Sequence, residues 1–441
     1  PTSADADIIP NLKILRARSR DLCQNNDYAK RFMNMLKVNV IGHKGILLQN
    51  KAKDNNGKHD TVANKKIETA WTAWGKKGTC TMCGGYSWTG LQQAIIEAVA
   101  KDGEVLIQKV LTGPFGFSLH LIEIDYLDEN YTIPRERIKG GVKRDKWGRP
   151  VKYYLLSDHP GETAGTMITK SHVEISAENI IHLFIKERPH QTRGVPWMVT
   201  PAYRLKQLGG MEEAELVASR IAASKMGFFT TLPDGAGFDE DETEEDGALI
   251  SEAEPGTFEK LPEGVDFKPW DPSHPNAAFE SFSKSMLRGI ASGLNVSYVG
   301  LANDLEGVSY SSIRSGELSD RDAWRLLQSW FVENLNDLVF PQWLSMALMS
   351  NALDLPYRKK DKFSKPHWQP RGWNWVDPQK EIKANISAVR NGFKSLSDVI
   401  SEQGMDIDEV FDRLSREKAL AEKYGLELPV LFGEKDNAKI N

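Results

Sequence analysis

Apolar positions along the chain change their spacing several times, and the changes mark out its parts. Leu12, Leu15, Leu22, Phe32, Met33 and Leu36 follow a broken helical period, with the polar turn "QNND" between two segments. Residues 64 to 100 return to helical spacing on either side of "GKKGTCTMCGG". Trp71, Trp74 and Trp88 there predict a substantial packed core. From 103 to 186 the pattern is that of strands: "GEVLIQKVL", "FSLHLIEIDYL", "PVKYYLLS" and "ENIIHLFIKE" combine β-branched and aromatic residues with partial alternation. "KRDKWGRP" reads as the turn of a hairpin.

A further helical run spans about Ala202 to Met226. Val217 and Ile221 lie one turn apart in it, and Ala218, Ala222 and Ala223 are small enough for close helix approach. Gly209 and Gly210 cost about 1 kcal/mol each against Ala and predict a late start or a bend. Residues 227 to 270 alternate short strand-like pieces with Pro and Gly. They also carry an acidic run without a balancing base: Asp239, Glu240, Asp241, Glu242, Glu244, Glu245 and Asp246. From about Pro275, the residues Phe279, Phe282, Met286, Ile290 and Leu294 step along one helix face. The longest helix is expected from Ser309 to about Ser350, with Trp324, Leu327, Phe331, Leu335 and Leu338 on one stripe. Pro341 should kink or break it, because it lacks an N–H and clashes with the preceding turn. A Trp-rich basic linker, "YRKKDKFSKPHWQPRGWNW", then leads into a helical C-terminal region. The expected fold class is α+β, mainly α.

At 441 residues, about 150 per domain gives roughly two to four structural units. Lys plus Arg number 56 and Asp plus Glu 61, a net charge of −5, whereas a protein that clamps nucleic acid is usually basic. Any contact with DNA is therefore expected to be local or weak. No apolar run approaches the roughly 20 residues of a membrane span, and nothing near the start resembles a signal peptide. The opening at Pro1 fits a trimmed chain. Three cysteines cannot make a disulfide framework, which points to a reducing compartment such as a bacterial cytoplasm.

Candidate chemistry is sparse. Cys80 and Cys83 have the spacing of half a zinc site, but no second pair follows, so they read as ordinary thiols. "GYSWTG" has one residue too many for a nucleophile elbow, and no P-loop is present. The acidic run lacks the spacing of a calcium loop and reads as solvated. Arg135, Arg137, Lys139, Lys143, Arg144, Lys146, Arg149 and Lys152 suit either phosphates or the protection of a sheet edge, and the second is favoured. No catalytic set, metal site or cofactor site emerges, so an enzyme is not expected. What remains is "LNVSYVGLANDLEGVSYSSIR", where Asp304 and Glu306 lie between glycines Gly300 and Gly307 and no Lys or Arg appears before Arg314. A lid, a partner-binding loop and a channel-lining loop are all open readings of it.

Several longer stretches decide among them. "LKILRARSRDLCQNNDYAKRF", "GGVKRDKWGRPVKYYLLSDHPGE", "TRGVPWMVTPAYRLKQLGGMEEAELVASRIAASKMGFF" and "EIKANISAVRNGFKSLSDVISEQGMDIDEVFDRL" all resemble parts of the portal proteins of lambda-type tailed bacteriophages. The most specific is "EPGTFEKLPEGVDFKPWDPSHPNAAFESFSKSMLRGIASGLNVSYVGLANDLEGVSYSSIR". The resemblance implies a ring of about twelve subunits at one capsid vertex, with double-stranded DNA passing through it without sequence preference. It implies docking of the terminase large subunit, later of head–tail connector (adaptor) proteins, and contact with the major capsid protein. It places the chain in the virion, and in the host bacterial cytoplasm during assembly.

By the same resemblance residues 1–201 would be wing, 202–226 and 275–294 the stem helices, and 227–274 the clip. Residues 295–309 would be the tunnel loop, 310–350 the long kinked helix and 351–441 a C-terminal wing and crown region. The stretch before the first matched segment is short and the chain ends soon after the last, so a small crown is expected. Gly300, Leu301, Asn303, Asp304, Glu306, Gly307 and Ser309 would line the DNA channel. The run Asp239 to Asp246 would serve partner docking. Trp324, Leu327 and Phe331 would pack between subunits. Lys and Arg hold DNA by releasing counterions, so acidic and neutral side chains let a duplex slide. A connector or baseplate protein without a channel is the competing reading, and a capsid-associated hydrolase a weaker one.

Overall fold

The computed structural model of the chain describes residues 2–162, 171–223, 227–231, 265–269, 278–373 and 378–425. The chain forms two compact units, one of residues 1–199 with 294–441 and one of residues 200–293.

The first unit opens with helices α1 (Ala4–Ile8), α2 (Leu12–Asn25) and α3 (Asp27–Leu36). The expected "QNND" turn is Asn26, whose side chain accepts from the N–H groups of Tyr28 and Ala29 and so starts α3. Strand β1 (Leu47–Asn50) precedes α4 (Thr61–Trp74) and α5 (Trp88–Asp102). Ser87, the serine of "GYSWTG", is the N-cap of α5 and accepts from Gly90 N–H at 3.1 Å, a structural task rather than a nucleophile's. Cys80 is buried and Cys83 exposed, both as free thiols. The tryptophans do pack: Trp71 lies 4.7 Å from Trp74, 5.5 Å from Trp88 and 4.9 Å from Trp343, centroid to centroid. The buried Trp74 indole donates to Phe117 O at 2.9 Å.

Two sheets follow. β2 (Glu104–Val110) pairs antiparallel with β3 (Ser118–Ile122) on one side and with β8 (Ile180–Phe184) on the other. The chain between them adds β4 (Ile138–Lys139), β5 (Val142–Arg144), β6 (Pro150–Leu156) and β7 (His172–Ser176), in that order across a second sheet. "KRDKWGRP" is indeed the β5–β6 turn. Leu106 and Ile180 share one core cluster with Val142, Tyr153 and Leu155, which binds the two sheets together. Half of the eight basic residues here are occupied: Lys139 meets Asp5, Lys143 meets Glu136, Lys152 meets Glu174, and Arg144 donates to the carbonyls of His190 and Gln191.

Beneath β2 lies a fully buried ion cluster. The Glu104 carboxylate takes the Arg193 guanidinium at 2.8 Å, the Gly194 N–H at 2.8 Å and His182 Nε2 at 2.9 Å. Burial alone would raise the Glu104 pKa. The Arg193 charge and these hydrogen bonds outweigh it and hold the carboxyl down to about 2. Burial likewise keeps His182 below its ordinary value, against the pull of Glu104. The approach is so close that a Cβ on Gly194 would overlap the Gly103 carbonyl, and Gly103 itself turns at φ +89.

The second unit holds α6 (Ala202–Ala223), β9 (Gly227–Thr231), β10 (Val265–Pro269) and α7 (Phe279–Gly293). Strands β9 and β10 pair antiparallel. α6 does not start late: it runs as one helix from Ala202 through Gly209 and Gly210. The Arg204 guanidinium of α6 lies over Gly289 of α7 and would have to swing aside if that position carried a Cβ.

The first unit resumes with α8 (Tyr298–Ala302), α9 (Tyr310–Phe331) and α10 (Asp337–Met349). The departure from α geometry is not at Pro341 but one turn upstream, in a π-helical turn over Val332–Asn336. The wider turn takes up the register change, and Pro341 sits inside a continuing α10. Then come α11 (Lys360–Phe363), β11 (Pro366–Gln369) paired with β1, α12 (Pro378–Arg390), α13 (Leu396–Glu402) and α14 (Ile407–Tyr424).

Candidate functional site: the acidic loop before the long helix

The stretch 295–309 is not one open loop. Ser297 caps α8, its Oγ accepting from Gly300 N–H at 3.2 Å, and Asn303 ends that helix in the left-handed region at φ +55. Asn is among the few residues that enter this region at low cost. A serine cap ahead of "YVGLA" was the local signal for this helix. Asp320, on α9, fastens the cap by accepting from Ser297 N–H at 2.8 Å and from its hydroxyl at 2.6 Å. Burial pushes the Asp320 carboxyl above its ordinary value, against those two bonds.

The expected loop residues therefore divide. Leu301 is buried, and a Cβ on Gly300 would come within 3.2 Å of Met35 Cε on α3. Arg31, also on α3, donates to Gly300 O at 3.3 Å. These belong to the foundation of the loop. Asp304 is half-buried and accepts from the Tyr298 hydroxyl at 2.6 Å and from Glu306 N–H at 3.0 Å, which folds the turn on itself. Asn303, Leu305, Glu306, Gly307 and Ser309 form the exposed part, with Leu305 62% exposed. Gly307 turns at φ +64 with open space where a side chain would stand. Ser309 caps α9 by accepting from Ser312 N–H at 3.2 Å. Sequence reasoning missed Arg31, Met35 and Asp320, which no motif singles out and only the tertiary fold brings to the loop.

The other expected residues fare differently. The run Asp239 to Asp246 lies outside the described residues. Trp324 is only 4% exposed and Phe331 is fully buried within the single subunit, while Leu327 is half-buried. Two of the three side chains assigned to packing between subunits thus have their apolar surface covered inside one chain. Leu338, expected on the same stripe, is instead exposed, because the π turn shifts α10 out of phase with α9.

The family model for phage portal protein, lambda family, matches residues 1–328. The chain belongs to the lambda family of phage portal proteins. The probable portal protein of Halomonas phage phiHAP-1 is 34% identical over 434 residues, covering 97% of this chain and 84% of its own length. Portal protein B of Escherichia phage lambda is 22% identical over 478 residues, covering 97% and 87%. Among solved structures, the neck of an empty gene transfer agent particle, computed with C6 symmetry, aligns over 90% of this chain at 14% identity and a TM-score of 0.46. The portal chain is thus a structural protein of a phage particle, mainly α with small sheets.

Proposed function

We propose that this portal chain forms a closed ring at one capsid vertex, and that the exposed part of 295–309 lines the channel through which DNA is packaged and ejected. The observation that carries this reading is a loop with Asp304 and Glu306 but no Lys or Arg from 295 to 313, standing on a fixed base. A loop that must approach a duplex without gripping it needs that composition, since each neutralised phosphate adds counterion-release affinity. It also needs a rigid footing, here Ser297 on Asp320 and Gly300 on Arg31. Residues 227–274, as the clip, would present the docking surface for the terminase large subunit and then for connector proteins. The acid run would steer basic partners more strongly at low salt. The role is structural, without a reaction of its own.

Native mass spectrometry of the purified chain, followed by electron microscopy, tests the ring. A large cyclic homo-oligomer with a bore wide enough for a duplex is expected. A monomer or dimer under every assembly condition, or a ring with a closed centre, overturns the reading.

A further inference from the structure

The basic linker after α10 lines a cavity of its own. The antiparallel pairing of β1 with β11 brings two polar segments together, and Lys51 N–H donates to Lys365 O at 2.9 Å where they meet. Between the turn at 51–56 and the segment at 358–365 opens a cavity of about 890 Å³. Its cations are Lys51, Lys53, Arg358, Lys359, Lys362 and Lys365, set against two carboxylates, Asp54 and Asp361, an excess of four positive charges. The chain as a whole carries −5, so this is a local concentration rather than a general basicity.

One of the six is already used. Lys362 Nζ holds Asp54 at 2.6 Å and also Asp60, pinning the turn to α11. That turn is further closed by Gly57 N–H to Asp54 O at 2.9 Å and Asp54 N–H to Lys58 O at 2.8 Å. The other five cations are exposed, and among the described residues none of them has an ion pair. Gathering like charges on fixed walls costs free energy, which an anionic ligand would offset.

We propose that this cavity docks the phosphodiester backbone of a nucleic acid at a place separate from the channel-lining loop. The walls offer ammonium and guanidinium donors together with the amides of Asn55 and Asn56, the groups that bind phosphate oxygens. Among the described residues no aromatic side chain lines the cavity, so there is no platform for stacking bases and sequence is not read. An acidic protein partner is the poorer match, because protein interfaces centre on an aromatic or aliphatic anchor and these walls carry none. The site does not depend on the channel reading, and either can fail alone.

The test uses the assembled full-length chain and a closed circular duplex, which cannot thread a preformed ring. Its affinity is measured against salt for the parent and for Lys51→Ala/Lys359→Ala/Lys365→Ala. All three lysines of the triple variant are exposed, and an unchanged melting curve checks its fold. Arg358→Glu is a second variant, for use if the triple variant melts early. The triple variant should bind the circle at least about tenfold more weakly at low salt, with a log–log salt slope shallower by about 0.9 per lost phosphate contact. The inference is overturned if the parent does not hold the circle, or if neither cavity variant changes affinity and slope. It is also overturned if polyglutamate displaces the circle more effectively, charge for charge, than a short duplex does, which would point to an acidic protein.

Discussion

Glu104 and Glu306 are both acids, and the chain treats them in opposite ways. Glu104 is fully buried and surrounded by a guanidinium, an imidazole and a backbone N–H, each within 2.9 Å. Glu306 stands exposed on a turn whose sequence carries no Lys or Arg from 295 to 313. A carboxylate that holds a fold together must be compensated, because an unpaired buried charge is prohibitively costly. A carboxylate that faces a passing polyanion does the opposite work, and positive neighbours would defeat it. The same chemical group holds the fold together in one place and, in the channel proposed above, would keep a passing duplex from being gripped in the other.

The largest effect should come from breaking the compensated site. Glu104→Ala leaves Arg193 buried without its carboxylate and should cost about 3–5 kcal/mol in a denaturant melt of the subunit. A variant that melts like the parent would remove the structural half of the comparison. Trp324→Ala should cost about 3 kcal/mol, at the low end for a buried Trp, and should do so in the subunit before any ring forms. Loss of ring yield with an unchanged subunit melt would return Trp324 to the packing between subunits.

A smaller loss should follow acidification. The folded-state pKa of Glu104 is held at about 2, below its ordinary 4.5, so its contribution is present above 4.5 and is lost as pH falls from there through about 2. His182 is also depressed, below 6.5, so its contribution begins to fall once pH drops under that value. Both slopes have the same sign. Melting temperature should hold above about pH 6.5 and decline below it, and Glu104→Gln should flatten the part under 4.5. A parent curve that rises on acidification contradicts the assignment. Smaller again is Gly307→Ala, which places a Cβ at φ +64 and should cost about 1 kcal/mol, read as an earlier melt without loss of fold.

The two sites also differed in how much could be read from sequence. The tryptophans of α4 and α5 announced a core through their local period, but Trp343 and Trp368 join it from far along the chain and carry no local mark of doing so. The Glu104–Arg193 pair spans 89 residues, and neither residue stands out in its own segment. At the loop, the acids and glycines were legible because absence of Lys and Arg is a property of the string itself. That Asp304 is turned toward Tyr298, and that Asp320 anchors the base, follows from side-chain placement that periodicity does not encode. The helix does not break at Pro341 for a related reason: the rule about proline is local, while the π turn lies upstream at Leu335 and Asn336, both buried.

The claim that the acidic loop faces DNA is tested most directly by packaging rate against salt, measured for rings of the parent, of Glu306→Lys, and of Glu306→Lys with Asp304→Lys. Glu306 comes first because it is exposed, whereas Asp304 also holds the Tyr298 hydroxyl. Each Lys places a positive charge on every subunit of the ring and creates a clamp that weakens as counterions compete. Translocation should stall at low ionic strength, partly recover at high, and stall more deeply in the double variant. If both variants package at the parental rate at every salt concentration, these side chains do not face the duplex, and 295–309 is a connection between helices and nothing more.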